Sequence, residues 1–133
     1  MRSVGLITDP SLTLETFRLA LGRRFAVAVN AVTGAPSLVV RDGTDVAWLH
    51  PEGDMRAEYD AGTLDVVGLD RMAFFDVPYR SIAFLKRMLL TIADDPRVWV
   101  DLDNGVIVAG SELVARLQRE PDWLMGLPTV TGD

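Results

Sequence analysis

Two dipeptides constrain this chain more than any other feature. Asp42-Gly43 separates the apolar runs 37–41 and 45–50, and Asn104-Gly105 separates 97–103 from 106–109. Both pairs tolerate the positive φ of a two-residue hairpin turn, so each sets its flanking strands antiparallel. A β-type run at 25–29 precedes the first hairpin across the turn Thr33-Gly34-Ala35-Pro36, and Pro51-Glu52-Gly53-Asp54 turns the chain after it. Met55, Ala57 and Tyr59 then alternate with Arg56, Glu58 and Asp60, the pattern of a half-exposed strand. Ala61-Gly62 leads into Leu64, Val66 and Leu69, a candidate for one more strand. Residues 3–8 read as a short strand or an ordered arm. Residues 71–80 stay open: they are apolar, but Pro78 prevents a helix from running through them comfortably.

Helical spacing occurs in three places. Thr13 fits an N-cap with Glu15 in the first turn, and Leu14, Phe17 and Leu21 give one apolar face to a helix near 13–22, ended by Gly22. Ile82, Leu85, Leu89 and Ile92, widened by Phe84 and Met88, mark the main core helix near 81–93, capped by Ser81 and ended by Asp94-Asp95-Pro96. Ser111 caps a last helix that carries Glu112 in its first turn, turns Leu113 and Leu117 inward, and stops at Pro121. A two-residue loop at 104–105 pairs Asp103 with Val106. It sets Val98, Val100, Leu102, Ile107 and Ala109 on one face and Trp99, Asp101, Asp103, Val106 and Val108 on the other.

These elements predict an α+β fold. A single antiparallel sheet of about five to seven strands is packed by two or three helices, in the order α-β-β-β-(β)-α-β-β-α. No linker, repeat or low-complexity segment divides the 133 residues, which read as one domain over 1–133. A chain of this length buries roughly two-thirds of its unfolded surface and needs no disulfide or metal to fold.

Composition removes many chemistries. There is no Cys, hence no thiol catalysis and no cysteine-containing zinc site, and His50 is the single imidazole. No phosphate-binding glycine loop, Gly-x-Ser-x-Gly or His-Glu-x-x-His motif is present. A Ser or Thr nucleophile has only His50 as a base, and His50 reads as an incidental residue at a strand end. A calcium loop counted from Asp101 puts Gly105 where a ligand belongs and Val106 where the turn needs Gly. Asp101 and Asp103 share a strand face, as an acid/base pair would, but nothing marks a substrate cleft. The sequence therefore predicts no catalytic residues, no metal and no cofactor.

The net charge of −6 disfavours nucleic acid and anionic membrane as partners. It is unevenly spread: residues 1–41 sum to +3, residues 42–104 to −7 and the remainder to −2. No stretch approaches the roughly 20 apolar residues of a membrane span. Asp9, Pro10 and Glu15 interrupt any signal-peptide core, so a cytoplasmic location is expected. Solvated strand faces explain most acids in such a run. The alternative is a recognition surface, and the candidate residues combine aromatic with acidic side chains: Trp99 with Asp101 and Asp103 on one strand face, and Trp48 in the same meander as Glu58 and Asp60.

Three segments carry a resemblance: Ser37-Leu-Val-Val-Arg-Asp-Gly-Thr-Asp-Val-Ala-Trp-Leu, Val98-Trp-Val-Asp-Leu-Asp-Asn-Gly and Glu112-Leu-Val-Ala-Arg-Leu-Gln-Arg-Glu-Pro-Asp-Trp. In a small acidic α+β chain, this layout resembles the immunity proteins encoded beside bacterial polymorphic toxins. The likeness is one of architecture and composition, without a diagnostic motif. It implies a non-enzymatic protein that binds a cognate, basic-surfaced toxin stoichiometrically and neutralises it. The same order of elements is also similar to the homodimeric secretion chaperones of bacterial injection systems, which hold an effector segment on apolar grooves. A small enzyme or ligand-binding domain is the third alternative, and it requires a deep pocket with convergent polar groups.

Overall fold

A computed structural model describes residues 2–31, 35–102 and 106–127. The described strands are β1 (Arg2–Thr8), β2 (Ala26–Asn30), β3 (Ser37–Asp42), β4 (Asp45–Glu52), β5 (Ala73–Tyr79), β6 (Val98–Asp101) and β7 (Ile107–Ala109). They form one antiparallel sheet in the order β2-β3-β4-β5-β1-β6-β7, with helices α1 (Leu14–Leu21), α2 (Ile82–Ile92) and α3 (Gly110–Arg119). The α+β class with a single antiparallel sheet is as the sequence indicates; the order of elements differs in part.

The largest difference is the place of the N-terminal segment. Of the two readings of residues 3–8, the strand is the one found, not the arm; what the sequence does not place is its position. These residues lie in β1, near the middle of the sheet, where Gly5 pairs with both Asp76 on β5 and Asp101 on β6. Because β5 and β6 both run antiparallel to β1, they are parallel to each other. The β5–α2–β6 segment is thus a split βαβ unit with β1 in its slot. Leu6 and Ile7 are both fully buried although they point to opposite faces. This strand is covered on both sides, and such a strand reads as a continuous apolar run, not as an alternation.

Residues 71–80 resolve into β5, beside β1. Its ladder with β4 pairs Ala47 with Tyr79 and resumes at His50 with Asp76, leaving no pair opposite Pro78. The interruption accommodates a residue that has no N–H to donate. The first hairpin turns on Gly43 and Thr44, one residue later than the Asp42-Gly43 signal, with Asp42 paired to Asp45 and Gly43 at φ 62°. Glycine at the first central position is what a type II′ turn uses.

The three helices cover one face. Thr13 and Ser81 cap α1 and α2 as their sequences predict, each side chain accepting from the N–H three residues on. Phe84, Leu85, Met88 and Leu89 of α2 pack on Val4 and Leu6 of β1 and on Val98 and Val100 of β6 in one continuous core. Edge-to-face ring pairs join Phe17 to Phe75 at 5.2 Å and Phe25 to Phe84 at 5.3 Å. Helix α3 departs from expectation: it starts at Gly110 with Ala109 at the cap position, and Ser111 lies inside it without capping.

The opposite face is covered only in part. Residues 55–60 and 64–69 are not strands; they form 3-10 turns at Arg56–Glu58 and Thr63–Val67 within a long connection between β4 and β5. Met55, Tyr59, Leu64, Val67, Leu69 and Met72 of that connection fold onto Ile7, Phe74, Trp99 and Ile107. The β6–β7 register also differs. Asp101 pairs with Ile107 and Val100 with Val108, one residue from the predicted match. A one-residue slip exchanges the faces of a strand. Ile107 therefore sits beside Trp99, while Val108 packs into the main core. Asp103 and the Asn104-Gly105 turn lie outside the described residues.

Candidate functional site

On the partly covered face, one row of residues crosses four strands: His50 on β4, Asp76 on β5, Gly5 on β1 and Asp101 on β6. Directly paired residues share a face, so Gly5 leaves a gap between two carboxylates. The gap opens into a pocket of about 200 Å³ whose walls include Gly5, Glu52, Tyr59, Phe74, Asp76 and Asp101. This is small beside the roughly 300–1,000 Å³ of sites for drug-sized ligands. It suits one side chain or a fragment of similar size.

Tyr59 closes one wall. Its hydroxyl donates to Oδ2 of Asp101 at 2.9 Å, and the other oxygen, Oδ1, is buried with no hydrogen-bond partner. Burial of Tyr59, reinforced by the hydrogen bond to Asp101 and by the negative charge there, pushes its phenol well above the ordinary tyrosine value of 10.0. The phenol is thus neutral in the folded state at pH values where a free tyrosine ionises. The stabilisation from this group is fully present below the unfolded value and falls as pH rises above it. Denaturation at pH 8 to 11 is expected to show stability declining above about pH 10, with a smaller decline in Tyr59→Phe; equal declines would show that Tyr59 is not the group responsible.

The structure gathers some of the sequence-predicted residues and separates others. Asp101 lines the pocket. Trp99, next to it in sequence, is half-buried against the Ile7, Val67 and Phe74 cluster and is not an exposed anchor. Trp48 lies on β4 with the Arg80 guanidinium over its ring at 5.6 Å and does not line the pocket. Glu58 and Asp60 flank Tyr59 but remain exposed, and they sit on or beside a 3-10 turn instead of alternating along a strand. The residues that sequence reasoning missed are Gly5, Glu52, Tyr59 and Asp76. A lone acid in the apolar run 72–78 is the one signal that marks Asp76.

His50 is not a turn residue. It lies inside β4, which continues through Pro51 to Glu52, and its Nδ1 is 2.7 Å from Ser37 Oγ. A serine beside an imidazole is the minimum for nucleophilic catalysis. Neither residue, however, lines the pocket next to Asp76. Among the described residues, no three His, Asp or Glu side chains are placed to hold a metal ion, and no helix is long and apolar enough to cross a membrane.

No protein-family model matches the chain, and comparison with curated proteins and with solved structures gives no match.

Proposed function

We propose that this protein is a non-enzymatic binding protein of the immunity kind, acting in the cytoplasm, which neutralises a cognate toxin by docking it on the partly covered sheet face. One observation carries this reading. Glu15, Asp42, Asp54, Asp95 and Glu120 each pair with an arginine of the chain. Glu52, Asp76 and Asp101 are, like several other acids of the described residues, without an ion pair, but these three converge on one pocket whose lining includes no Lys or Arg. Acids left without an internal cation around a concave site favour a basic partner and raise its rate of encounter. The helical face offers less to the alternative chaperone role, since α1, α2 and α3 turn most of their apolar side chains into the core and leave Leu19 and Leu90 as their exposed large apolar residues among the described residues.

The test is affinity. The chain is co-expressed with the product of its neighbouring gene, and the one-to-one complex is titrated by calorimetry at two salt concentrations. Charge reversal in Glu52→Lys with Asp76→Lys is expected to weaken the complex at least tenfold, about 1.4 kcal/mol, and raised salt to weaken the wild type. A complex unaffected by both changes would remove this surface, and absence of any complex would remove the immunity reading.

A further inference from the structure

We propose that the uncovered part of the sheet around Trp48 is a self-association surface, on which a second copy of this chain packs face to face about a two-fold axis. The face opposite the helices is only half roofed. The connection between β4 and β5 packs on Ile7, Phe74, Trp99 and Ile107, which belong to β1, β5, β6 and β7. Strands β2, β3 and β4 take no part in that cluster. Across them the ladders align Ala28 with Val39 and Val39 with Trp48, and the β4–β5 register sets Pro78 opposite Trp48. Directly paired residues share a face, so these four form an apolar row across the sheet. Ala28 is exposed, the other three are half-buried, and none belongs to either hydrophobic cluster. Trp48 is thus a large aromatic side chain outside both cores, of a type enriched at the energetic centres of protein contacts.

Charge selects the occupant. Along the strands, the row divides a basic end from an acidic one. Two residues to one side stand Arg41, paired with Val46 of β4, and Arg80, whose guanidinium lies over the Trp48 ring at 5.6 Å. Two residues to the other side stand Ser37, His50 and Asp76, with His50 paired to Asp76 and its Nδ1 2.7 Å from Ser37 Oγ. Arg41 and Arg80 are exposed and form no ion pair among the described residues. Asp42, next to Arg41 in sequence, does not neutralise this end. Side chains alternate along a strand, so Asp42 points to the other face, where it pairs with Arg87 of α2.

An apolar centre with one basic and one acidic end is complementary to itself after inversion. A two-fold axis between the sheets, running across the strands, performs that inversion. Each strand then lies over its own counterpart and runs the opposite way. Trp48 meets Trp48 of the second copy, and Arg80 of each copy stands over Asp76 of the other, twice by symmetry. An axis along the strands would set the basic end on the basic end. Packed sheets lie about 10 Å apart, a gap that an arginine and a carboxylate directed at each other can close. The uncovered area spans four strands and about five residues, roughly 19 by 17 Å. It belongs with the contacts that bury less than about 1,200 Å² in total, which are weak and transient. The second copy is therefore a reversible occupant. This association does not rest on the partner-binding reading. Asp76 belongs to both surfaces, so a partner docked over Asp76 displaces the second copy.

Sedimentation velocity of the whole chain, from about 10 µM to about 1 mM, is the test. The sedimentation coefficient is expected to rise with concentration towards that of a dimer. Arg80→Asp and Asp76→Arg each put like charges at both symmetric contacts, so each variant alone should stay monomeric. Mixed in equal amounts, the two variants regain opposite charges at both contacts and should associate as the wild type does. Trp48→Ala should weaken association at least tenfold. Circular dichroism reports whether each variant is folded, and if Asp76→Arg is not, Arg80→Asp and Trp48→Ala decide. A wild type that stays monomeric throughout the range overturns the proposal. So does undiminished association in folded Arg80→Asp or Trp48→Ala, which would place the contact off this face, or failure of the two folded charge variants to associate when mixed.

Discussion

Replacing Gly110 by alanine is expected to lower the unfolding free energy by at least about 3 kcal/mol, and the melting temperature by roughly 10 °C. Helix propensity alone predicts the opposite, a gain of about 1 kcal/mol for alanine within a helix. Sterics decide the sign. A Cβ on Gly110 would lie 2.1 Å from the carbonyl oxygen of Ala93 and 2.9 Å from that of Val98. Both obstacles are main chain: Ala93 closes α2 and Val98 opens β6. Neither can swing aside like a flexible side chain, so the start of α3 must move away from the two elements it packs against. Gly53 is the matched control. Nothing lies within 4 Å of a Cβ built there, and its φ is ordinary, so Gly53→Ala should leave stability within about 1 kcal/mol of wild type. Chemical denaturation of the two variants measures both effects. A Gly110→Ala protein as stable as the Gly53→Ala protein would mean that α3 does not approach α2 this closely.

The second large effect is expected at Ile7. A sheet with helices on one side only would leave Ile7 half in water, and truncation there would cost about 1 kcal/mol. Ile7 is instead fully buried on the face away from the helices, against Val67 and Phe74, beneath the connection between β4 and β5. Ile7→Ala is therefore expected to cost about 3 kcal/mol, within the usual range for removing a buried aliphatic side chain. A urea titration of this variant tests whether the 53–72 connection is a packed second layer. The same connection supplies Tyr59 to the pocket, so a loosened layer should also disturb the hydrogen bond from Tyr59 to Asp101.

Some of this was legible in the sequence, for physical reasons that differ from element to element. Helices α1 and α2 declare themselves locally: Thr13 and Ser81 cap them, and their apolar stripes recur at helical spacing. The pairing of β1 between β5 and β6 is nonlocal, because no short-range pattern records which distant strand inserts where. Residues 55–60 mislead because Met55 and Tyr59, which alternate with charged residues in the sequence, flank a single 3-10 turn at Arg56–Glu58 and both pack, partly buried, on the second cluster. At the site, Asp101 was found because it shares a strand with Trp99. Asp76 and Glu52 reach it only through the sheet order β4-β5-β1-β6. Glycine at position 5 means nothing until carboxylates are known to stand on either side of it.

Carboxyl footprinting of the complex with its cognate partner tests the proposed recognition surface most directly, because each acid reports its own exposure. With the partner bound, carbodiimide labelling is expected to slow several-fold at Glu52 and Asp76, while Glu15 on α1 and Glu112 on α3 label at their free rates. Protection of Glu15 and Glu112 with Glu52 and Asp76 unchanged would place the partner on the helical face and contradict the proposed surface.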